Sequence, residues 1–469
     1  MSSAATAASV FDELAAIVGV QNLSDEVPEL ITFDIQGTQP AIRVSPATPE
    51  EVAAILRVVA ARGLAVAISG GFTRQHIGNP PERAEILLDT SRLIALEHYD
   101  AGDLTFGVGA GATLASIEQR LAEHSQFLPL DVAERERTTI GGLLATNTSA
   151  PLRHGYGGLR DYCIGVRFVT GDGAIAKGGG RVVKNVAGFD LMKLMIGSFG
   201  TLGVITGASF KVSPRPRQTA TFVCEFPSLA AAIAFRDRVA SSALTPIRFE
   251  LVSPRAMEYV AAHAEASAEP RDPDHYHPAA PVAVPETAWR IVLTAAGSDA
   301  VLARYRRELG ELAAARELTG REEEAFWRGQ HRFEANVTAR HRNAMLMQLS
   351  VPARAVEAAL AGAERAALEQ NSMFAAVGRA TLGSLTVAVI PLSVDPPAAM
   401  QYANAASAIR GALPPENSAH CSAYVLRCPI EAKTHFDVWG STPTDRSMML
   451  AVRRALDPAE ILNRGRFLL

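Results

Sequence analysis

A chain of 469 residues, 48% of them hydrophobic, buries a core with ease and is too long for one ordinary domain, so two domains or one split by an insertion are expected. A formal charge of −4 gives no reason to expect nucleic acid as a partner, and four cysteines without a C-x-x-C pair argue against a zinc or iron–sulfur site and fit a reduced, cytoplasmic compartment. No apolar run reaches the roughly 18 residues that span a membrane, and Met1 to Val10 lacks the basic start of a signal peptide.

Residues 1–40 read as an Ala-rich helical start followed by breakers at Pro28 and Pro40. Residues 41–44 read as a strand, and Thr48-Pro-Glu-Glu51 as a capping box with proline at the first helical position. Val52, Ile55, Leu56 and Val59 then share one helix face, which Gly63 ends. The strand 64–69 runs into Ser69-Gly-Gly-Phe-Thr-Arg74. Successive amides in such a turn form an anion-binding nest, and Arg74 adds charge; a plain tight turn fits the same residues.

Gly107-Val-Gly-Ala-Gly-Ala112, between the strand 104–108 and a helix bearing Leu114, Ile117 and Leu121, matches the G-x-G-x-x-G/A dinucleotide fingerprint. No βαβ repeat follows it, so a strand–helix corner is the better reading. After Pro129 comes Thr138-Thr-Ile-Gly-Gly-Leu-Leu-Ala-Thr-Asn-Thr-Ser149, followed by glycine-dense turns at 155–158, 178–180 and 200–203, with a hairpin expected across Gly171-Asp-Gly173. Walls stripped of Cβ atoms let backbone amides face something anionic or planar, and the reading is FAD.

Leu128-Pro-Leu-Asp131, residues 138–149, Tyr156-Gly157 with Arg160-Asp161, residues 179–190 and Gly197-Ser-Phe-Gly-Thr-Leu-Gly-Val-Ile205 together resemble the vanillyl-alcohol oxidase / p-cresol methylhydroxylase flavoprotein family. The tail agrees, at Asp437-Val-Trp-Gly440 and over residues 456–467, and the chain looks most like the E subunit of bacterial glycolate oxidase (glycolate dehydrogenase). The resemblance implies an α+β fold: an FAD-binding domain of two α+β subdomains over 41–218, an inserted antiparallel-sheet cap over 219–419, an N-terminal extension over 1–40, and a segment 420–469 returning to the FAD domain. The cap sequence fits, with strands expected at 221–226, 289–295, 344–350 and 386–390 and helices at 228–239, 300–318 and 353–370. Residues 264–286, rich in Pro, Ala and Asp, are expected as a surface loop.

The resemblance further implies an extended FAD, held non-covalently. Its diphosphate is expected on the amides of Gly70, Gly71, Phe72 and Thr73, in the loop from Ser69 to Arg74, and on the turn Thr139, Ile140, Gly141, Gly142 that follows Pro129 and Thr138. Its isoalloxazine is expected beside Ala145, Thr146, Asn147, Ser149, Tyr156 and Gly157, and its adenine half beside Gly203, Val204 and Ile205.

Two departures stand out. Phe72 replaces the third glycine of the family's phosphate loop, where a positive φ would strain it. His76 lies past the family's tether position and no cysteine is near, which favours the non-covalent flavin. Phe199 stands where catalytic D-type subunits have glutamate, and their H-x-G-D-G-N cluster is missing. No metal site is expected; His275 and His277 read as solvated loop residues.

Oxidising a small 2-hydroxy acid needs a cation for the carboxylate, a base for the hydroxyl proton and a hydride acceptor. The candidates are His331, Arg332, Arg340 and His341, on a segment whose mixed charge a solvated helix also explains. The implied role is an E-type subunit working beside a D-type FAD subunit and an iron–sulfur subunit. Electrons would pass towards the respiratory chain, and the chain would meet the inner membrane face peripherally, through those partners. A stand-alone FAD-dependent alcohol or 2-hydroxy-acid dehydrogenase, and a non-catalytic scaffold, are the alternatives.

Overall fold

Two small sheets carry the first half of the chain. The computed structural model describes residues 2–148, 150–180, 190–261, 288–393, 398–414, 421–440 and 442–467, with only the helical backbone over 2–9. The first sheet orders its strands as Leu23–Ser24, Ile42–Val44, Ile86–Asp89 and Val66–Ser69, the last three parallel. Helix Pro49–Ala61 starts as its capping box dictates: Thr48 accepts the Glu51 amide at 3.1 Å and Glu51 accepts the Ala47 amide at 2.7 Å. Its Val52, Ile55, Leu56 and Val59 are fully buried against Val44, Val66, Ile86 and Leu88. Helix Ser2–Val18 adds Val10, Leu14 and Val18 to that core. Residues 1–40, expected as an extension, are thus built into this subdomain.

The second sheet is antiparallel, in the order Leu96–Asp100, Thr105–Gly109, Val204–Lys211, Cys163–Val169 and Ile175–Gly179. The last two strands are the expected hairpin. At the 107–112 corner, a Cβ on Gly109 or Gly111 would lie 2.1 Å from the carbonyl oxygens of Leu93 or Thr90, so these glycines answer to neighbouring chain.

The cap is one eight-stranded sheet, in the order Ala315–Leu318, Gln218–Phe226, Trp289–Gly297, Arg248–Val252, Ser372–Arg379, Ser384–Pro391, Met345–Ser350 and Ser422–Arg427. The expected helix over 300–318 divides into helix Asp299–Leu312 and the edge strand Ala315–Leu318. The sheet also runs past the boundary expected at 419, because Ser422–Arg427 closes its other edge. Alternation gives the sheet two characters. Phe249, Leu251, Met347, Leu349, Leu385, Val387 and Val425 enter a core beneath helices Leu229–Ala240, Val356–Glu369 and Ala399–Gly411. Arg248, Glu250, Arg379, Thr386, Gln348 and Tyr424 occupy the alternate positions. Beyond the cap, helix Arg446–Leu456 and the tail return to the first half, where Leu462 bridges Val66.

Candidate functional site

The loop after strand Val66–Ser69 is shaped by close contact. A Cβ on Gly70 would lie 2.2 Å from Thr139 Oγ1, and one on Gly71 1.5 Å from the Arg137 carbonyl oxygen. The amides of Gly71, Phe72, Thr73 and Arg74 have no acceptor among the described residues, and the buried Ser69 hydroxyl has no partner. Phe72 does take a positive φ, 57°, at a cost of order 1–3 kcal/mol. Its ring is stowed 5.4 Å from Phe33, edge to face, on the cluster of Ile35, Ala67, Ala84 and Leu87, which leaves the loop amides open.

The end of the chain fixes this loop. Arg466, buried, donates to Gln75 Oε1 at 2.7 Å, to Gln75 O at 2.8 Å and to Ile77 O at 2.7 Å. Burial pushes its guanidinium down to about 10, still a cation at neutral pH. Asn463 accepts the Ile68 amide at 3.1 Å and donates to Phe199 O at 2.6 Å. Together the loop, Thr139, Gly142, Ala145, Thr146, Phe199, Asn463 and Arg466 line a cradle. Its open amides, orphaned hydroxyl and buried cation suit a diphosphate.

The second expected phosphate turn needs correction. Ile140 N donates to Ala112 O at 3.0 Å, Gly141 N to Ala110 O at 2.7 Å and Gly142 N to Thr139 Oγ1 at 3.4 Å, so those amides are taken by protein. Thr139 caps helix Ile140–Thr146, and Gly142 contributes by leaving the cradle floor bare. Pro129 and Thr138 are buried scaffold. The helix ends at Asn147 in the left-handed region, φ 48°, with Thr146 and Asn147 at the mouth of a second space. Ser149 lies outside the described residues, as do residues 181–189 of the motif, His275 and His277.

Tyr156 instead packs edge to face on Phe127 at 5.3 Å. Gly157, φ 84°, makes room for Asp161, which accepts the Gly158 amide. Gly203 abuts Val169 O, and Val204 and Ile205 are core residues. None of these five lines the cradle or the adjoining cavity.

That cavity, about 310 Å³, separates Thr146 and Asn147 from the polar positions of the cap sheet. Asp131 is buried in its wall, accepting the Leu152 amide at 3.0 Å and Arg248 Nε at 2.8 Å, with His331 Nε2 at 3.4 Å. Burial alone would raise its carboxyl, but Arg248, His331 and the amide outweigh that and hold it below the usual range. Arg248 also lies over the Trp327 ring, 4.6 Å from its centroid.

Glu250, 1% exposed, behaves oppositely. Burial pushes its carboxyl up to about 7, against the pull of Arg379, whose Nε is 3.6 Å from Oε1. Gln330 donates to Oε2 at 3.0 Å. Arg153 joins the lining, its guanidinium lowered by burial and by the charge of Arg379. Two carboxylates driven apart in protonation and two guanidiniums therefore share one space.

Of the four expected catalytic residues, only His331 reaches it. Arg340 donates to Glu258 O at 3.2 Å and His341 bonds the Tyr259 hydroxyl at 3.0 Å, both packed on the Tyr259 ring. Arg332 points into a different cleft. Asp131 was visible only as part of a motif. Arg153, Glu250 and Arg379 were missed, although the alternation Arg248-Phe-Glu-Leu marks a strand with one polar face. Phe199, φ 52°, stacks on Phe467 at 5.2 Å and meets Trp439 at 4.8 Å beside the cradle. Among the described residues no helix is long and apolar enough to cross a membrane.

Residues 40–179 match the family model "FAD binding domain", and residues 215–408 match "FAD linked oxidases, C-terminal domain". D-lactate dehydrogenase of Archaeoglobus fulgidus is 33% identical over 252 residues, 53% of this chain and 56% of that protein. Glycolate oxidase subunit GlcE of Escherichia coli is 38% identical over 151 residues, 32% of this chain and 43% of its own. The chain thus spans about half the length of the curated relatives it matches. The solved structure of p-cresol methylhydroxylase with substrate bound has a TM-score of 0.75 at 16% identity, covering 98% of this chain and 96% of that one. Matched in order along the chain, the two models make this a protein with an FAD binding domain followed by an FAD-linked oxidase C-terminal domain; its α+β fold is that of p-cresol methylhydroxylase, and FAD is its cofactor.

Proposed function

We propose that the chain is an FAD-dependent oxidoreductase acting on a 2-hydroxy acid, as the E-type subunit of a glycolate-dehydrogenase-like complex beside a D-type flavoprotein and an iron–sulfur subunit. The observation that carries the chemistry is the group of Arg379, Glu250 and His331 on the cap, with Asp131 of the FAD-binding half, lining one cavity with Thr146 and Asn147. When bound, FAD supplies the hydride acceptor. Arg153 and Arg379 bind the substrate carboxylate through charge-assisted hydrogen bonds. Glu250, with its carboxyl near 7, takes the hydroxyl proton at Oε1, the oxygen that Gln330 leaves open. Asp131 stays ionised and orients His331 and Arg248. Helices Arg321–His331 and Phe333–Arg340 bury Phe326, Trp327 and Phe333 beside the site, which limits water there.

The E-type role rests on the likeness to GlcE and on Phe199 in place of the D-type glutamate. The chain would then be cytoplasmic, meeting a membrane only through its partners. A second reading, a stand-alone 2-hydroxy-acid dehydrogenase, is favoured by the built cavity and by the longer match to D-lactate dehydrogenase. Assay of the FAD-loaded chain with glycolate, D-lactate and D-2-hydroxyglutarate and a redox dye separates them. Near-inactivity alone with activity restored by D-type and iron–sulfur subunits supports the first, and dye turnover by the chain alone supports the second. A purified protein without flavin absorbance would leave only the scaffold.

A further inference from the structure

A second cleft, of about 1060 Å³, opens where residues 72–76, helix Phe333–Arg340 and the end of strand Ser422–Arg427 meet. It shares Phe72 and Gln75 with the phosphate cradle and no residue with the cap cavity. Arg332, expected among the catalytic residues, reaches this cleft instead, with Arg342 and Arg427. None of these three guanidiniums has a hydrogen bond or ion pair among the described residues. Arg332 Nε and His76 Nε2 are buried without any partner. Leaving such donors without an acceptor is unfavourable in a folded protein, and a ligand bearing acceptors would relieve it.

Cations outnumber carboxylates around the cleft. Burial lowers the Arg427 guanidinium, and His76 is pushed well below its ordinary range by burial and then by Arg427, Arg74, Lys433 and Arg466, so its ring is neutral there. Lys433 is committed to the oxygens of Gln36, His76 and Gly78. The acids offset this field in part: Glu334 and Glu134 pull on the Arg427 guanidinium, but Glu334 also pairs with Arg74 at 3.8 Å and Glu134 with Arg137 at 3.3 Å, Asp34 accepts the Gly37 amide, and Glu431 is exposed at the rim. An oxyanion is the ligand that planar guanidinium donors and an imidazole N–H fit best.

We propose that this cleft is a binding site for a small multivalent oxyanion, a dicarboxylate or a phosphate, bridging Arg332 and Arg427 with His76 as a further donor. The site adjoins the phosphate cradle, with which it shares Phe72 and Gln75, and no residue of it lines the cap cavity. Calorimetric titration of the FAD-loaded chain with inorganic phosphate, and in parallel with succinate, tests it and tells the two sources apart. At least one probe should bind saturably at low salt, and R427Q and R332Q should each weaken that binding about tenfold or more with flavin content unchanged. Should R427Q purify without flavin, R332Q decides the matter. Three results would overturn the proposal: no saturable binding of either probe to the wild type, equal affinity in R332Q, or release of flavin as the probe binds. Flavin absorbance in the same samples reports separately on the cofactor assignment.

Discussion

Replacing Arg466 by methionine should cost the protein its FAD while leaving most of the fold standing. The side chain is buried and its guanidinium makes three hydrogen bonds, to Gln75 Oε1, Gln75 O and Ile77 O, at 2.7 to 2.8 Å. Without it Gln75 Oε1 and Ile77 O are stranded, at about 1–3 kcal/mol each where water cannot enter, while Gln75 O keeps only the Gln36 donor. Gln75 is only half-buried, so a total of about 3–5 kcal/mol is the reasonable sum. The loop's other support is Gln75 Nε2 on Ile68 O at 2.9 Å, the Gln36 side-chain amide on Gln75 O at 3.0 Å, and Lys433 on His76 O at 2.7 Å and Gly78 O at 2.9 Å. The cost should therefore appear as local opening of the phosphate loop rather than as global unfolding. Because FAD binds the closed loop, its affinity should fall by about two to three and a half orders of magnitude. R466K keeps the charge but not the planar fork and should fall between. Quenching of flavin fluorescence by the apoprotein measures the affinity, and the melting curve of the apoprotein measures the fold. An R466M protein that binds FAD within about threefold of the wild type would refute the clamp.

Two further outcomes follow from the same geometry. Burial pushes the Glu250 carboxyl up from its ordinary 4.5 to about 7 in the fold, so between those pH values the folded state keeps a proton that the unfolded chain releases. Stability is therefore lost as pH rises through that window, by about 3 kcal/mol in all. E250Q should remove this dependence, so its melting temperature should gain on the wild type between pH 5 and pH 8, and a gap constant with pH would contradict the assignment. At residue 72, glycine adopts the observed φ of 57° freely and alanine does not, while both lose the Phe33 contact. F72G should exceed F72A in stability by about 1 kcal/mol, and equal melting temperatures would show that the strain is absent.

Much of the architecture was legible because it is written locally. The box at Thr48, the face of Val52, Ile55, Leu56 and Val59, and the hairpin at 171–173 each lie within a dozen residues. Strands Arg248–Val252 and Ser372–Arg379 were not legible, though they sit at the centre of the cap and carry Glu250 and Arg379. A charged residue in a strand usually marks a solvated face; here that face closes a cavity, which only the tertiary structure decides. The glycine signal behaved similarly. It reports that something comes close to the backbone, not what does: the Arg137 carbonyl at Gly71, Asp161 at Gly157 and the Val169 carbonyl at Gly203. Reading all three as flavin contacts therefore went beyond what the glycines themselves report. The Arg466 contact, 391 residues along the chain from Gln75, has no local pattern at all.

The clamp also explains how a loop with phenylalanine in place of glycine can still receive a diphosphate. Four successive carbonyls are taken by two cations from the far end of the chain, those of Gln75 and Ile77 by Arg466 and those of His76 and Gly78 by Lys433. The chain turns at Gln75 and His76, where the Ile77 amide donates to Arg74 O, and the two cations hold the successive carbonyls of that turn, so its path does not depend on a third glycine. Both cations are held by carbonyl dipoles and amide oxygens, not by carboxylates. A carboxylate partner would fix the loop equally well but would cancel the field. Neutral acceptors hold the geometry and leave the positive charge beside the open amides of Gly71 to Arg74, where an anion can use it.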